Sequence, residues 1–159
     1  MVAENPEKHI ESLNKAIKNI RIADHMLYVT YPVIKDKRLL LKSLDEVYDA
    51  IVLIINSILQ YDYLRRMITL TNNPQQNFET FITKCSRRYN LSAEELSEIT
   101  NLITLMENHK KSPMEFARKD KVIILSDSLK TTAVDSEKLK KYLSLAKNLV
   151  NKAKFGMSI

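Results

Sequence analysis

LLKSLDEVYDAIVLIINSILQY, residues 40–61, decides the fold. Leu40, Leu44, Val47, Ile51, Ile54 and Ile58 keep a strict four-three spacing, and Tyr61 extends it. A second stripe, Leu41, Tyr48, Val52, Ile55 and Leu59, runs beside the first. A helix that is apolar over most of its circumference is one that other helices surround. The spacing predicts a central helix over residues 36–69.

The flanking sequence reads the same way. On the N-terminal side, Asn5 is a favoured N-cap with Pro6 at the first helical position. The seam Ile10, Leu13, Ile17, Ile20 and Leu27 follows, with Asp24 filling the one polar step of that rhythm. This helix should end or bend before Pro32, because a residue preceding proline is pushed out of α geometry. On the C-terminal side, TNNPQQN (71–77) reads as a loop. Phe78, Phe81, Ile82, Cys85 and Tyr89 then share one helical face. Ser92 with Glu95 forms a capping box, and Leu91 with Leu96 a hydrophobic staple, opening a helix that runs to the basic end His109-Lys110-Lys111. A second capping box, Ser112 with Glu115, predicts a short helix over 113–119. Two β-prone stretches, 122–125 and 130–134, flank a polar turn and suggest a small hairpin. The last helix is capped by Asp135 and runs to about residue 154, with Gly156 as its stop and 156–159 frayed.

One glycine and four prolines in 159 residues favour long helices, since tight turns consume glycine. The expected fold is all-α: an antiparallel bundle of about five helices in one domain over 1–159, with a small β-hairpin or extended insert (122–134) before the last helix. No apolar run approaches the ~20 residues of a membrane span. The polar N-terminus lacks a secretory core, and one cysteine permits no internal disulfide. A soluble, cytoplasmic protein is the expectation, with no membrane partner.

Net charge is +6, and residues 112–159 hold 10 basic against 5 acidic side chains, nearly the whole excess. Such one-ended charge suits an anionic partner or simply a solvated lysine face. Lys140, Lys147 and Lys154 recur along one side of the last helix. Arg87 and Arg88 end an earlier helix, and Arg118, Lys119 and Lys121 precede the insert. If these converge they can follow a phosphate backbone. No aromatic residue is interleaved among them as a base-stacking platform requires, so base-specific reading is not expected.

Catalytic signals are sparse. Cys85 lies on an apolar helical face and reads as a small core residue, although an exposed thiol beside Arg87 and Arg88 would be activated. His9, His25 and His109 fall on separate segments without metal-ligand spacing, so no metal site is expected, and nothing implies a cofactor. A single glycine excludes glycine-rich phosphate loops. Arg21, Asp24 and His25 are the candidate buried polar site. There Asp24 either belongs to an acid–base or binding pocket or pairs with Arg21 on its own helix.

Arg118-Lys119-Asp120 followed by the insert and EKLKKYLSLAKNLVNKA resembles the end of HEPN-type helical bundles, and the chain is similar to small archaeal helical proteins. Active HEPN members carry an R-x4–6-H motif that cleaves RNA, usually across a dimer. Counting from Arg118, Ile123, Ile124 or Leu125 stands where the histidine belongs, and Arg21 with His25 has the wrong spacing. The resemblance thus implies a bundle that binds or dimerises without nuclease chemistry. The leading expectation is a non-enzymatic protein contacting RNA or a ribonucleoprotein through its basic C-terminal third. The alternatives are a dimerisation or adaptor module with a homodimer or protein partner, and an enzyme built on Arg21, Asp24 and His25.

Overall fold

A computed structural model describes residues 7–112, 114–118, 120–126 and 128–159. The expected Asn5–Pro6 helix start, the Pro113 cap position and Lys119 lie outside them. The chain is mostly helical, with a three-stranded antiparallel sheet inserted before the last helix. The helices are α1 (Lys8–His25), α2 (Tyr31–Ile34), α3 (Arg38–Leu64), α4 (Pro74–Thr80), α5 (Ala93–Lys111) and α6 (Ser136–Met157). The strands are β1 (Met114–Arg118), β2 (Lys121–Leu125) and β3 (Thr131–Asp135).

Helix α3 is the axis of the core. Leu40, Leu44, Val47, Ile51, Ile54 and Ile58 are all buried, as their spacing requires. The small residues of the same face allow close approach. Ala50 is fully covered, Ser57 Oγ donates to the His9 carbonyl at 2.7 Å, and Ser43 Oγ lies 3.6 Å from Met26 Sδ. His9 at the start of α1, Ser57 near the end of α3 and Met157 at the end of α6 therefore meet at one end of the molecule. Towards the other end, Asp24 of α1 bonds Lys147 of α6, and Asp45 of α3 lies 3.9 Å from His109 of α5.

The first helix departs from its expected seam. Its buried residues are His9, Leu13, Ala16, Ile20, Ala23 and Leu27, whereas Ile10 is exposed. Alanines hold the seam because α1 packs closely on α3, and Asp24 is displaced to the rim by Ala23. Pro32 does not end the helix. A π-helical turn at Met26–Thr30 precedes it, with the Tyr31 N–H donating to the Met26 carbonyl five residues back, and helical geometry continues to Ile34. The wider turn changes the hydrogen-bond register just before the residue that lacks a donor.

Three further boundaries move. Helix α3 stops at Leu64, five residues short of expectation, with Arg66 in the left-handed region (φ 58°). The loop 71–77 instead contains the start of α4, where the Asn73 side chain accepts from the Gln75 and Gln76 N–H groups and Pro74 opens the helix. In place of the expected helix over 113–119, Met114–Arg118 is strand β1. Ser112 Oγ donates to the carbonyls of Met114 and Leu125 (2.6 and 2.8 Å), so the expected capping residue ties a strand pair instead.

The β1–β2 register pairs Met114 with Leu125, Phe116 with Ile123 and Arg118 with Lys121, and β2–β3 pairs Val122 with Val134. Val122, Ile124 and Val134 point into the core, while Met114 and Phe116 lie on the outer face and are exposed. The expected hairpin is thus a sheet with one extra edge strand.

Helix α6 passes through Gly156 and ends at Met157, so neither the stop at Gly156 nor the fraying from residue 156 holds. Ser158, in the left-handed region, ends the helix. Gly156 is required by packing: a Cβ there would lie 2.5 Å from Cδ1 and Cε1 of Tyr89, whose ring is buried. In an open helix, glycine to alanine gains up to about 1 kcal/mol. Here overpacking against an immobile ring should outweigh that gain, and Gly156→Ala is expected to lose about 1–3 kcal/mol in urea denaturation. A gain in stability would mean the ring can move aside.

Candidate anion-binding site

The end of the molecule where His9, Ser57 and Met157 meet also collects arginine and tyrosine. Tyr61 and Arg65 are one helical turn apart at the end of α3, so they share a face. Arg65 donates to the Tyr61 hydroxyl at 2.9 Å, and its guanidinium lies 5.5 Å from the ring centroid. The second contribution comes from the turn after α4, where a π-helical turn (Phe81–Cys85) leads into Arg87, Arg88 and Tyr89, and Asn90 at φ 55° reverses the chain. Arg88 turns inward. Its guanidinium stands 5.6 Å from the Tyr61 ring and 4.4 Å from the Tyr89 ring, and it forms an ion pair with Asp62.

Asp62 is almost fully buried, so its carboxylate requires such a partner. The Tyr89 hydroxyl also donates to it at 2.9 Å. Burial pushes the Tyr89 phenol pKa up, more strongly than the neighbouring guanidinium pulls it down. The Arg88 Nε is buried without a partner among the described residues. On the other side, His9 packs on Tyr61 with ring centroids 5.1 Å apart. Burial lowers the His9 pKa, and its Nδ1 is likewise unpartnered. Arg65, Arg66 and Arg87 are exposed around this centre. Two guanidinium groups thus converge on one tyrosine ring, with two exposed arginines beside them and one buried carboxylate beneath. Such guanidinium groups are planar donors of the kind that suit phosphate or carboxylate.

The expected basic residues fall into separate groups. Arg87 and Arg88 belong to the cluster just described. Arg118 and Lys121 face each other at the β1–β2 tip. Lys138 near the start of α6 reaches the Ala133 carbonyl, and Lys152 near its end reaches the Asn90 carbonyl. Their separation of fourteen positions spans about 21 Å of helix, so the arginine pair and the sheet tip do not form one patch. Lys140 and Lys147 flank the exposed Tyr28 ring at 4.7 and 6.0 Å. Lys147 is held by Asp24 at 2.5 Å, and Lys152 by Glu95. Much of the lysine row therefore joins α6 to its neighbours. Lys154 is half-buried near the helix end.

The expected buried polar site is not buried. Arg21 and His25 are exposed, and the Asp24 side chain is 41 % exposed. Asp24 pairs with Lys147 rather than Arg21, and His25 Nδ1 lies 3.3 Å from Thr30 Oγ1. Cys85 is fully buried, and burial raises its thiol to about 11, which removes the activated-thiol reading. Among the described residues no group of three His, Cys, Asp or Glu side chains is placed to hold a metal, and no helix is long and apolar enough to cross a membrane.

Sequence reasoning missed Tyr61, Asp62, Arg65 and the inward role of Arg88. A signal existed: the strings YDYLRR (61–66) and RRYN (87–90) each place tyrosine beside paired arginines. The aromatic interleaving judged absent along the chain is produced in space. No family model, curated protein or solved structure matches this chain.

His9 provides a test of the burial at this site. Its folded-state pKa lies below the ordinary value of 6.5, so the folded protein resists a proton that the unfolded chain accepts. Stability should be unaffected by this group above that value and fall as pH drops through it. Comparison of urea midpoints for the wild type and His9→Phe between pH 8 and 5 should show the curves converging in shape above pH ~6.5 and the wild type declining more steeply below it.

Proposed function

We propose that the protein is a non-enzymatic antiparallel helical bundle that contacts RNA, alone or in a ribonucleoprotein, through the arginine cluster at the end of α3. The observation that carries this reading is the convergence of Arg65 and Arg88 on Tyr61, with Arg66 and Arg87 exposed alongside. Guanidinium groups bind phosphate oxygens in pairs, and a cluster of them follows a backbone without reading bases. Asp62 neutralises Arg88 but holds it against Tyr61, and Arg65, Arg66 and Arg87 carry the positive charge of the cluster. A soluble protein of the cytoplasm with no cofactor fits this role, as does a HEPN-like kinship stripped of its histidine. The contact surface is then the α3 and α4 ends more than the C-terminal third, since Lys147 and Lys152 are engaged internally.

Filter binding of single-stranded RNA across a salt series tests the reading. Affinity should fall steeply with salt, and Arg66→Ala with Arg87→Ala should lower the slope by about 1.4, two phosphate contacts' worth. Both residues lie outside the Asp62 ion pair, so the fold is not at stake. Absence of binding at low salt would end the proposal.

The second reading, a protein–protein or dimerisation module, draws on the outer face of the sheet. Met114 and Phe116 are 57 % and 44 % exposed on edge strand β1, in register with Leu125 and Ile123. Such an edge is a ready template for strand pairing. Sedimentation should then show a dimer that Phe116→Lys converts to monomer, while a concentration-independent wild-type monomer would exclude self-pairing.

A further inference from the structure

In the second apolar stripe of α3, Leu41, Tyr48 and Val52 are partly exposed, whereas Ile55 and Leu59 are buried. Helix α4 is short, and between it and α5 a groove of about 650 Å³ opens onto Val52, Ile55 and Leu59. Phe78 and Ile103 contribute to its walls, and Tyr48 lines it on the α3 side. This volume lies within the range of small-molecule sites, about 300–1,000 Å³. The polar lining is one-sided in charge. Glu79 of α4 and Glu107 of α5 both line it, together with the amides of Asn56, Gln75 and Asn77. The Asn77 amide is engaged with Thr71, whereas Asn56 is exposed on α3. Among the described residues no lysine, arginine or histidine lines the groove, in a chain of net charge +6.

We propose that this groove binds a small amphiphilic organic cation, its apolar body on Val52, Ile55 and Leu59 and its ammonium held between Glu79 and Glu107. Three features select that chemistry. The floor is aliphatic, so the ligand body is apolar. The two lining carboxylates favour ammonium over anions, even with the Lys110 ammonium at the Tyr48 wall. Tyr48 and Phe78 offer aromatic faces, which favour cations over neutral groups. Lys110, one turn beyond Glu107 on α5, already holds its ammonium 5.3 Å from the Tyr48 ring centroid. Its position shows that this wall accepts a cation, and leaves the Phe78 and Glu79 side for the ligand. Asp49 and Asp45, near Lys110 on α3, add negative potential at that end, and burial followed by Asp45 raises the Asp49 pKa. The groove is independent of the arginine cluster: no residue belongs to both.

The test uses three probes of equal chain length, n-octylammonium, octanol and octanoate, titrated into the full chain and followed by methyl resonances of Val52, Ile55 and Ile103. Octylammonium should shift these methyls and bind about fivefold more tightly than octanol, as two partly solvated carboxylate contacts supply. Octanoate should bind more weakly than either. Glu79→Gln with Glu107→Gln, both at exposed positions, should bring octylammonium to the affinity of octanol without changing the urea midpoint. Equal binding of the three probes by the wild type, shifts confined to other methyls, or an unchanged ammonium preference in the double variant would each overturn the proposal.

Discussion

The end of the molecule is organised by one contact, the Tyr89 ring lying on the backbone of α6 at Gly156. The sole glycine of the chain is placed where any side chain would collide with that ring. Close approach brings the Tyr89 hydroxyl to Asp62, and with it the turn that carries Arg88. Three distant segments, the end of α3, the turn after α4 and the end of α6, are thereby fixed to one another. A buried ion pair is a weak source of net stability, because desolvation consumes most of its Coulombic gain. Its value here is positional. Leaving either charge alone would cost about 3–5 kcal/mol, so the segments can pack only in the arrangement that joins Asp62 to Arg88.

The same logic separates what was legible in the sequence from what was not. The core stripe of α3 and the Ser92–Glu95 capping box were legible because each is a local pattern with one structural meaning. The capping-box pattern at Ser112–Glu115 had two. Its serine bonds across strands and its glutamate meets His109, a contact from the preceding helix that no local pattern displays. Tertiary pairing of Val122 and Ile124 with their neighbours overrode the local helix signal. On α1 Leu13, Ile20 and Leu27 were placed correctly, but the alternate seam positions were off by one because Ala16 and Ala23 carry little hydrophobic weight in a periodicity, although small residues are what close helix packing demands. The shift of one residue moved Asp24 from interior to rim and removed the site built on it.

The candidate site was half legible. Arg87 and Arg88 were marked by charge alone, but charge cannot tell an inward arginine from an outward one. The buried acid that turns Arg88 inward is Asp62, which in sequence looks like the polar step of an amphipathic helix end. Only the meeting of two segments 27 residues apart identifies it.

Net charge by region does not show which cations are already paired within the fold. The C-terminal third holds the excess, yet Lys147 and Lys152 are tied to Asp24 and Glu95, and Lys140 lies against Tyr28 and near Glu137. A lysine paired within the fold contributes little field at a distance, since its partner cancels it within the screening length of about 8–10 Å. Around Tyr61 the two situations occur side by side. Arg88 is paired with the buried Asp62, whereas Arg65 stacks on the Tyr61 ring, which holds a guanidinium without neutralising it. Potential outside the protein depends on charges outside such pairs, and among the described residues Arg65, Arg66 and Arg87 at the α3 end are in none of the ion pairs that hold Lys147 and Lys152.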